Sequence, residues 1–151
     1  RHESSTRFEN MADAAPVLIW MAGTDGLVTY VNRPWLEFTG RTFEQESGDG
    51  WSRFIHPEDA QASLQAMQAA FADRRAIKLE YRLRRADGEY RWILDHGVPR
   101  FADGVFLGYI GSCVDVTDHK DAEKERTVLL EKERAARQQA EFASRTKDLF
   151  L

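Results

Sequence analysis

Few side chains in this chain have the type and spacing to do chemistry. There is one cysteine, Cys113, and the four histidines are scattered. No cysteine and histidine cluster has zinc-like spacing, so no metal site is expected, and no glycine-rich loop is built to cradle phosphate. What remains is the chemistry of binding. If Trp92 points inward on its strand, Leu94, His96 and Val98 follow by the two-residue period, and a similar register on the last strand turns Tyr109, Gly111 and Cys113 inward. With Leu83 from the preceding strand, these residues describe an apolar cavity in which His96 and Cys113 are the polar or polarisable groups, a composition suited to a small molecule. Core packing is the other reading, since cysteine is often a small hydrophobe and a buried histidine is often simply satisfied. His56 precedes Pro57 and reads as a capping or packing residue at a helix start.

The elements that must position these groups lie between about Phe8 and Thr117. Three Asp-Gly pairs, at 25–26, 87–88 and 103–104, are each flanked by strand-like sequence, and Asp-Gly suits the positive φ angles of tight hairpins. The clearest strand is Ile77 to Leu83, with Ile77, Leu79, Tyr81 and Leu83 on a buried face and Lys78, Glu80 and Arg82 on a wet one. "EYRWILDHGVPRF" and "VFLGYIGSCVDVT" continue it as a meander, and "VLIWMA" with "LVTYVN" makes an earlier hairpin. The uniformly apolar "VLIWMA" leaves open whether Trp20 or Met21 faces inward. Helices come between: "RPWLEFTG" starts with Pro34 and stops at Gly40, and "HPEDAQASLQAMQAAFADR" carries Glu58 and Asp59 in its first turn and Leu64, Met67, Ala70 and Phe71 on one face. Strands on both sides of a helical insert give an α+β fold.

Two flanking segments differ in character. Phe8 and Met11 share a helical face before the domain, and this N-terminal cap helix, residues 1–13, is expected to cover the outer surface of the last strand, Ile110, Ser112 and Val114, from its own or a neighbouring chain. From residue 118 to 151 there is no glycine or proline, and acids alternate closely with bases. One long helix of about 50 Å is expected, with a weak coiled-coil stripe of Ala122, Leu129, Ala136, Ala143 and Phe150. A solvated single helix is the alternative.

With 42% hydrophobic residues in 151, the chain builds one core plus an extension. A net charge of −4 gives no footprint for nucleic acid or a membrane surface. No run reaches the roughly 20 apolar residues of a membrane span, and a lone cysteine fits a reducing cytoplasm. The chain opens on Arg1 and ends in helical "SRTKDLFL", so it reads as a piece of a longer protein.

The run "YVNRPWLEFTG … FIHPED … YRLRRADGEYRWILDHGVPRF … GYIGSCVDVT" resembles a PAS sensor domain of the kind that often precedes histidine kinases, over residues 14 to 117. The resemblance implies a five-stranded antiparallel sheet with short helices on one face, an interior cavity, and a long C-terminal signalling helix. It also implies that Asp115, in the closing "DVT" of Asp115-Val116-Thr117, pairs with a base near the central hairpin, for which Arg85 and Arg91 are candidates. "EFASRTKDLFL" looks like the approach to a kinase dimerisation helix, so the parent is expected to be a histidine kinase while these residues are not an enzyme; a cyclic-dinucleotide cyclase is the other output considered. Ser52 stands where photoactive flavin-binding relatives carry their reactive cysteine, and no histidine lies between Glu58 and Arg74 to meet haem. The covalent flavin photocycle is therefore excluded and haem is unexpected, a sensor carrying non-covalent flavin or haem is kept as an alternative, and no cofactor is required. The expected assembly is a cytoplasmic homodimer, joined through the N-terminal helix and the C-terminal coiled coil, that senses an unidentified small molecule or a partner, or serves as a ligand-free scaffold.

Overall fold

The computed structural model describes residues 2–149, with side chains from residue 6 onward. Helix α1 (His2–Ala14) leads into strands β1 (Leu18–Ala22) and β2 (Val28–Val31). Helices α2 (Arg33–Thr39) and α3 (Phe43–Glu46), a 3₁₀ turn at Gly50–Phe54 and helix α4 (Pro57–Ala72) follow, then β3 (Ile77–Arg84), β4 (Tyr90–Ala102), β5 (Val105–Asp115) and helix α5 (Thr117–Leu149). The five strands form one sheet of order β2-β1-β5-β4-β3, with every neighbouring pair antiparallel.

Local chemistry explains the elements. All three Asp-Gly pairs sit in hairpin turns, and Gly26, Gly88 and Gly104 have φ of 82°, 88° and 78°, angles that cost an L side chain but not glycine. Asn32 caps α2 by accepting from the Trp35 N–H, and Gly40 ends it in the left-handed conformation at φ 69°. His56 Nδ1 accepts from the Glu58 N–H at 3.1 Å, so this histidine is the N-cap of α4. At the other end of α4, the Tyr109 hydroxyl lies 2.6 Å from the Arg75 carbonyl and 3.1 Å from that of Ala70, satisfying backbone groups that the last turn leaves over. Helices α2, α3 and α4 and the 3₁₀ turn pack on one face of the sheet over a core that includes Tyr81, Leu83, Ile93 and Tyr109, all fully buried. Burying a side chain such as Leu83 or Ile93 contributes roughly 1.5–3 kcal/mol.

Within its own chain, helix α1 docks elsewhere than on the outer face of β5. Its anchor is Ala12, 3% exposed, whose carbonyl accepts from Asn32 Nδ2 at 2.8 Å. Phe8 meets the Tyr30 ring at 5.8 Å, and Asp13 accepts from the Arg33 N–H. The helix thus sits at the β2 edge, Met11 is 68% exposed, and Val114 on β5 remains 44% exposed. Asn32 is the reason: it is fully buried and bonds Ile19, Trp35, Ala12 and Val17 together, so a polar hub rather than an apolar stripe fixes where α1 lies.

The chain divides into two compact units, residues 1–116 and 117–151. In the second, α5 has no buried residue among those described, and Leu129 is 59% exposed. Glu133 with Arg137 and Glu141 with Arg145 form four-residue-spaced pairs along it, each contributing a few tenths of a kcal/mol, ~0.3–0.5. The expected stripe residue Phe150 lies outside the described residues. No described helix is long and apolar enough to cross a membrane.

Candidate functional site

A tryptophan lying on two glycines forms the centre of the inner sheet face. Gly97 on β4 and Gly111 on β5 are directly paired. A Cβ on Gly97 would come 2.7 Å from the Trp20 ring, and one on Gly111 would come 2.4 Å from it. No other residue leaves room for the indole. Trp20 is therefore the inward residue of β1, 8% exposed, and its Nε1–H donates to Asp95 Oδ1 at 2.9 Å.

Asp95, on β4 beside Gly97, is 2% exposed. The Tyr81 hydroxyl donates to its Oδ2 at 2.8 Å and lies 4.0 Å from Cys113 Sγ. Burial pushes the Asp95 carboxyl above the usual carboxylate range, opposed by the hydrogen bonds from Tyr81 and Trp20. Burial, reinforced by the negative charge of Asp95, also raises Tyr81 and Cys113 well above their ordinary values. The Cys113 thiol accordingly stays protonated and is not a reactive nucleophile.

Above this floor is a cavity of about 60 Å³, lined by Trp20, Trp35, Trp51, Met67, Phe71, Val28, Ile77, Ala22, Gly26 and Asp95. Asp95 is its one ionisable wall; the rest is apolar or aromatic. The space holds a few waters or a ligand of a few heavy atoms. Among the described residues no group of carboxylates, histidines and cysteines is arranged to hold a metal ion.

The family model for the PAS fold matches residues 28–113. The chain belongs to the PAS fold family. Among curated relatives it is 47% identical over 125 residues to the uncharacterized protein y4lL of Sinorhizobium fredii, covering 82% of this chain and 15% of that protein. It is 26% identical over 148 residues to the peroxide stress-activated histidine kinase mak1 of Schizosaccharomyces pombe, covering 91% of this chain and 9% of the kinase. A solved sensory box histidine kinase/response regulator from Burkholderia thailandensis matches with a TM-score of 0.61 at 28% identity, over 85% of this chain and 98% of that one. The chain thus spans a small part of the curated relatives it matches.

This PAS interior does not fit a flavin or a haem. Trp20, Trp35 and Trp51 stand in the space, and 60 Å³ compares with the roughly 300–1,000 Å³ of pockets that hold larger ligands. Ser52 Oγ donates to the Asp49 carbonyl at 2.6 Å.

Of the residues expected in the pocket, Leu83, Tyr109 and Cys113 face inward and are fully buried, but none lines the cavity. Trp92, Leu94 and His96 do not face inward; this corrects the expectation for β4. Their neighbours Ile93, Asp95 and Gly97 are the buried set, His96 is exposed, and Trp92 is half-buried with the Arg82 guanidinium 5.0 Å from its ring. The cause is a β-bulge. Beyond the Asp103-Gly104 turn, Phe101 pairs with Phe106 but Arg100 pairs with Gly108, so Leu107 is an extra residue on β5. Uninterrupted pairing would oppose Val98 to Tyr109 and Leu94 to Cys113; the bulge opposes Pro99 and Asp95 to them instead. Paired residues share a face, so one inserted residue turns all of β4 over. Gly108 makes the bulge possible: its φ is 119°, and a Cβ there would collide with the Ala22 carbonyl.

Near the end of the PAS unit, Arg91 Nε donates to Asp115 Oδ2 at 2.8 Å. Of the two candidate bases, Arg91 makes this pair, while Arg85 binds Asp87 and Glu89 in its own turn. The adjacent Val116 N–H donates to the Trp92 carbonyl at 2.9 Å. Trp20 and Asp95 are the functional candidates that sequence reasoning missed; the signal for both is the glycine on each central strand, which marks close approach of a large group.

Proposed function

We propose that this chain is the signal-input part of a cytoplasmic two-component histidine kinase, in which residues 14–117 sense a small molecule and a parallel pair of α5 helices carries the response. The observation that carries the reading is the buried carboxylate of Asp95 at the wall of an internal cavity. Beyond its hydrogen bonds to Trp20 and Tyr81, a carboxyl buried there costs the core desolvation free energy. The kinase relatives support this output class. The Arg91–Asp115 pair, two residues ahead of α5, is the relay: a ligand shifts the output only through unequal affinity for two states of this junction. The fragment itself is non-catalytic in this reading.

Native mass spectrometry on the purified chain tests it. A dimer carrying reproducible extra mass supports sensing and gives the ligand's weight. A dimer at twice the chain mass, unchanged after incubation with candidate small molecules, turns the reading into a dimerisation scaffold.

A further inference from the structure

Two buried carboxylates in this domain are treated differently. Glu46 is fully buried and receives Trp35 Nε1 at 3.2 Å and the Arg41 guanidinium at 3.2 Å. Asp95 receives only neutral donors, the Trp20 indole, the Tyr81 hydroxyl and the Cys113 thiol, and no lysine or arginine among the described residues pairs with it. A carboxylate accepts about four hydrogen bonds, so Asp95 keeps acceptor capacity beside open space, and its ionised form has no lysine or arginine against it. The remaining walls are rich in rings: Trp20, Trp35, Trp51 and Phe71.

We propose that the cavity is a receptor site for a small methylated ammonium ion, with Asp95 as its counter-charge and these four rings as its walls. This rests on the sensor reading above and names its ligand class. The chemistry excludes the neighbouring classes. Anions meet the Asp95 carboxylate with no lysine or arginine lining the cavity to offset it. A neutral hydrocarbon leaves the carboxylate unmatched. A primary ammonium carries three donors, and the cavity offers one carboxylate and otherwise apolar or aromatic side chains. Methyl groups on nitrogen remove those donors and spread the charge over surfaces that aromatic faces attract. The volume of about 60 Å³ admits an ion of a few heavy atoms.

The test is calorimetric titration of the full chain with tetramethylammonium chloride, set against tert-butanol as a neutral ligand of similar size and shape, and against sodium chloride at equal ionic strength. Indole N–H resonances are followed by NMR in parallel. Tetramethylammonium is expected to bind saturably and shift the Trp20 indole signal, while tert-butanol binds at least about tenfold more weakly. Asp95→Asn should abolish the difference between the two ligands. If that variant fails to fold, Trp51→Leu, at the half-buried wall, should weaken the cation about tenfold while the Trp35 indole signal stays in place. Equal binding of tert-butanol overturns cation recognition and leaves a small-molecule sensor standing. So does undiminished binding by a folded Trp51→Leu chain. Saturation by neither ligand overturns the inference, and the sensor reading is then judged by the retained mass in native spectrometry.

Discussion

Glu46 and Asp95 are both carboxylates at the centre of one small domain, each bonded to a tryptophan indole, yet one has a cation against it and the other does not. Around Glu46 the Arg41 guanidinium also covers the Phe54 ring at 3.4 Å, so the helical segment from α2 to the 3₁₀ turn is clamped by a set closed in charge, although Glu46 Oε2 and one Arg41 amino nitrogen have no hydrogen-bond partner among the described residues. Around Asp95 the set is open and borders a cavity. Charge buried with its partner holds structure together. Charge buried without one is left where a ligand can complete it.

Breaking the closed set should have the largest effect. Arg41→Ala leaves Glu46 buried without its cation, and removing one partner of a buried pair costs about 3–5 kcal/mol. Urea unfolding should show the midpoint falling accordingly. A loss under about 1 kcal/mol would mean that Arg41 is not needed to hold Glu46 in the core, and the contrast with Asp95 would vanish.

The open set is next, through its floor. Gly97→Ala puts a methyl 2.7 Å from the Trp20 ring, an overpacking expected to cost about 1–3 kcal/mol. The displaced indole should also lose Asp95, moving the Trp20 N–H resonance. Destabilisation without that movement would separate the glycines from the site.

This floor marks the boundary of what can be read from residue order. The hairpins, the α2 and α4 caps and the β3 face follow from short-range rules, because Asp-Gly, Pro34, Gly40 and the alternation from Ile77 to Leu83 act on their immediate neighbours. The face of β4 depends on Leu107, an extra residue whose effect appears only in pairing with another strand. Asp95 looks like a solvent-facing residue in "WILDHGV" until that bulge turns it inward, and the donors that make its burial tolerable lie on β1 and β3. The Gly97 and Gly111 pair is legible as a sign of close approach, but the ring that approaches comes from a strand of uniform apolarity. Long-range register, more than local propensity, determines the site.

A smaller effect concerns the proton on Asp95. The groups around it are Tyr81 from β3, Cys113 from β5 and His96 next to it on β4, with Trp20 from β1 and no ionisable wall from α4. Burial raises the Asp95 carboxyl, so the folded state holds its proton more tightly than the unfolded chain does. Its contribution to stability is complete below the ordinary carboxylate range and is lost as pH rises through the raised value. Relative to Asp95→Asn, the natural chain should therefore be most stable at low pH and lose ground as pH rises, measured by urea midpoints between about pH 4 and pH 8. Parallel curves would show that the carboxylate is already compensated in the fold. Saturating tetramethylammonium should flatten the difference by supplying the missing charge.

The smallest effect on stability, and the one that bears on the relay, is expected at Arg91. Its pair with Asp115 is partly exposed, at 14% and 25%, and Glu89 shares the guanidinium at 2.8 Å, so Arg91→Ala should cost no more than about 1 kcal/mol. Its location matters more than its strength, because Asp115 is the last residue of β5 and α5 begins at Thr117. If the pair holds the junction, its removal should loosen the Val116 N–H bond to the Trp92 carbonyl, and hydrogen exchange should quicken from Val116 into the first turn of α5 while Tyr81 and Ile93 remain as protected as before. Uniformly faster exchange would indicate plain destabilisation. Unchanged exchange at Val116 would remove the pair from the relay and leave the contrast between a closed and an open carboxylate as a property of the pocket alone.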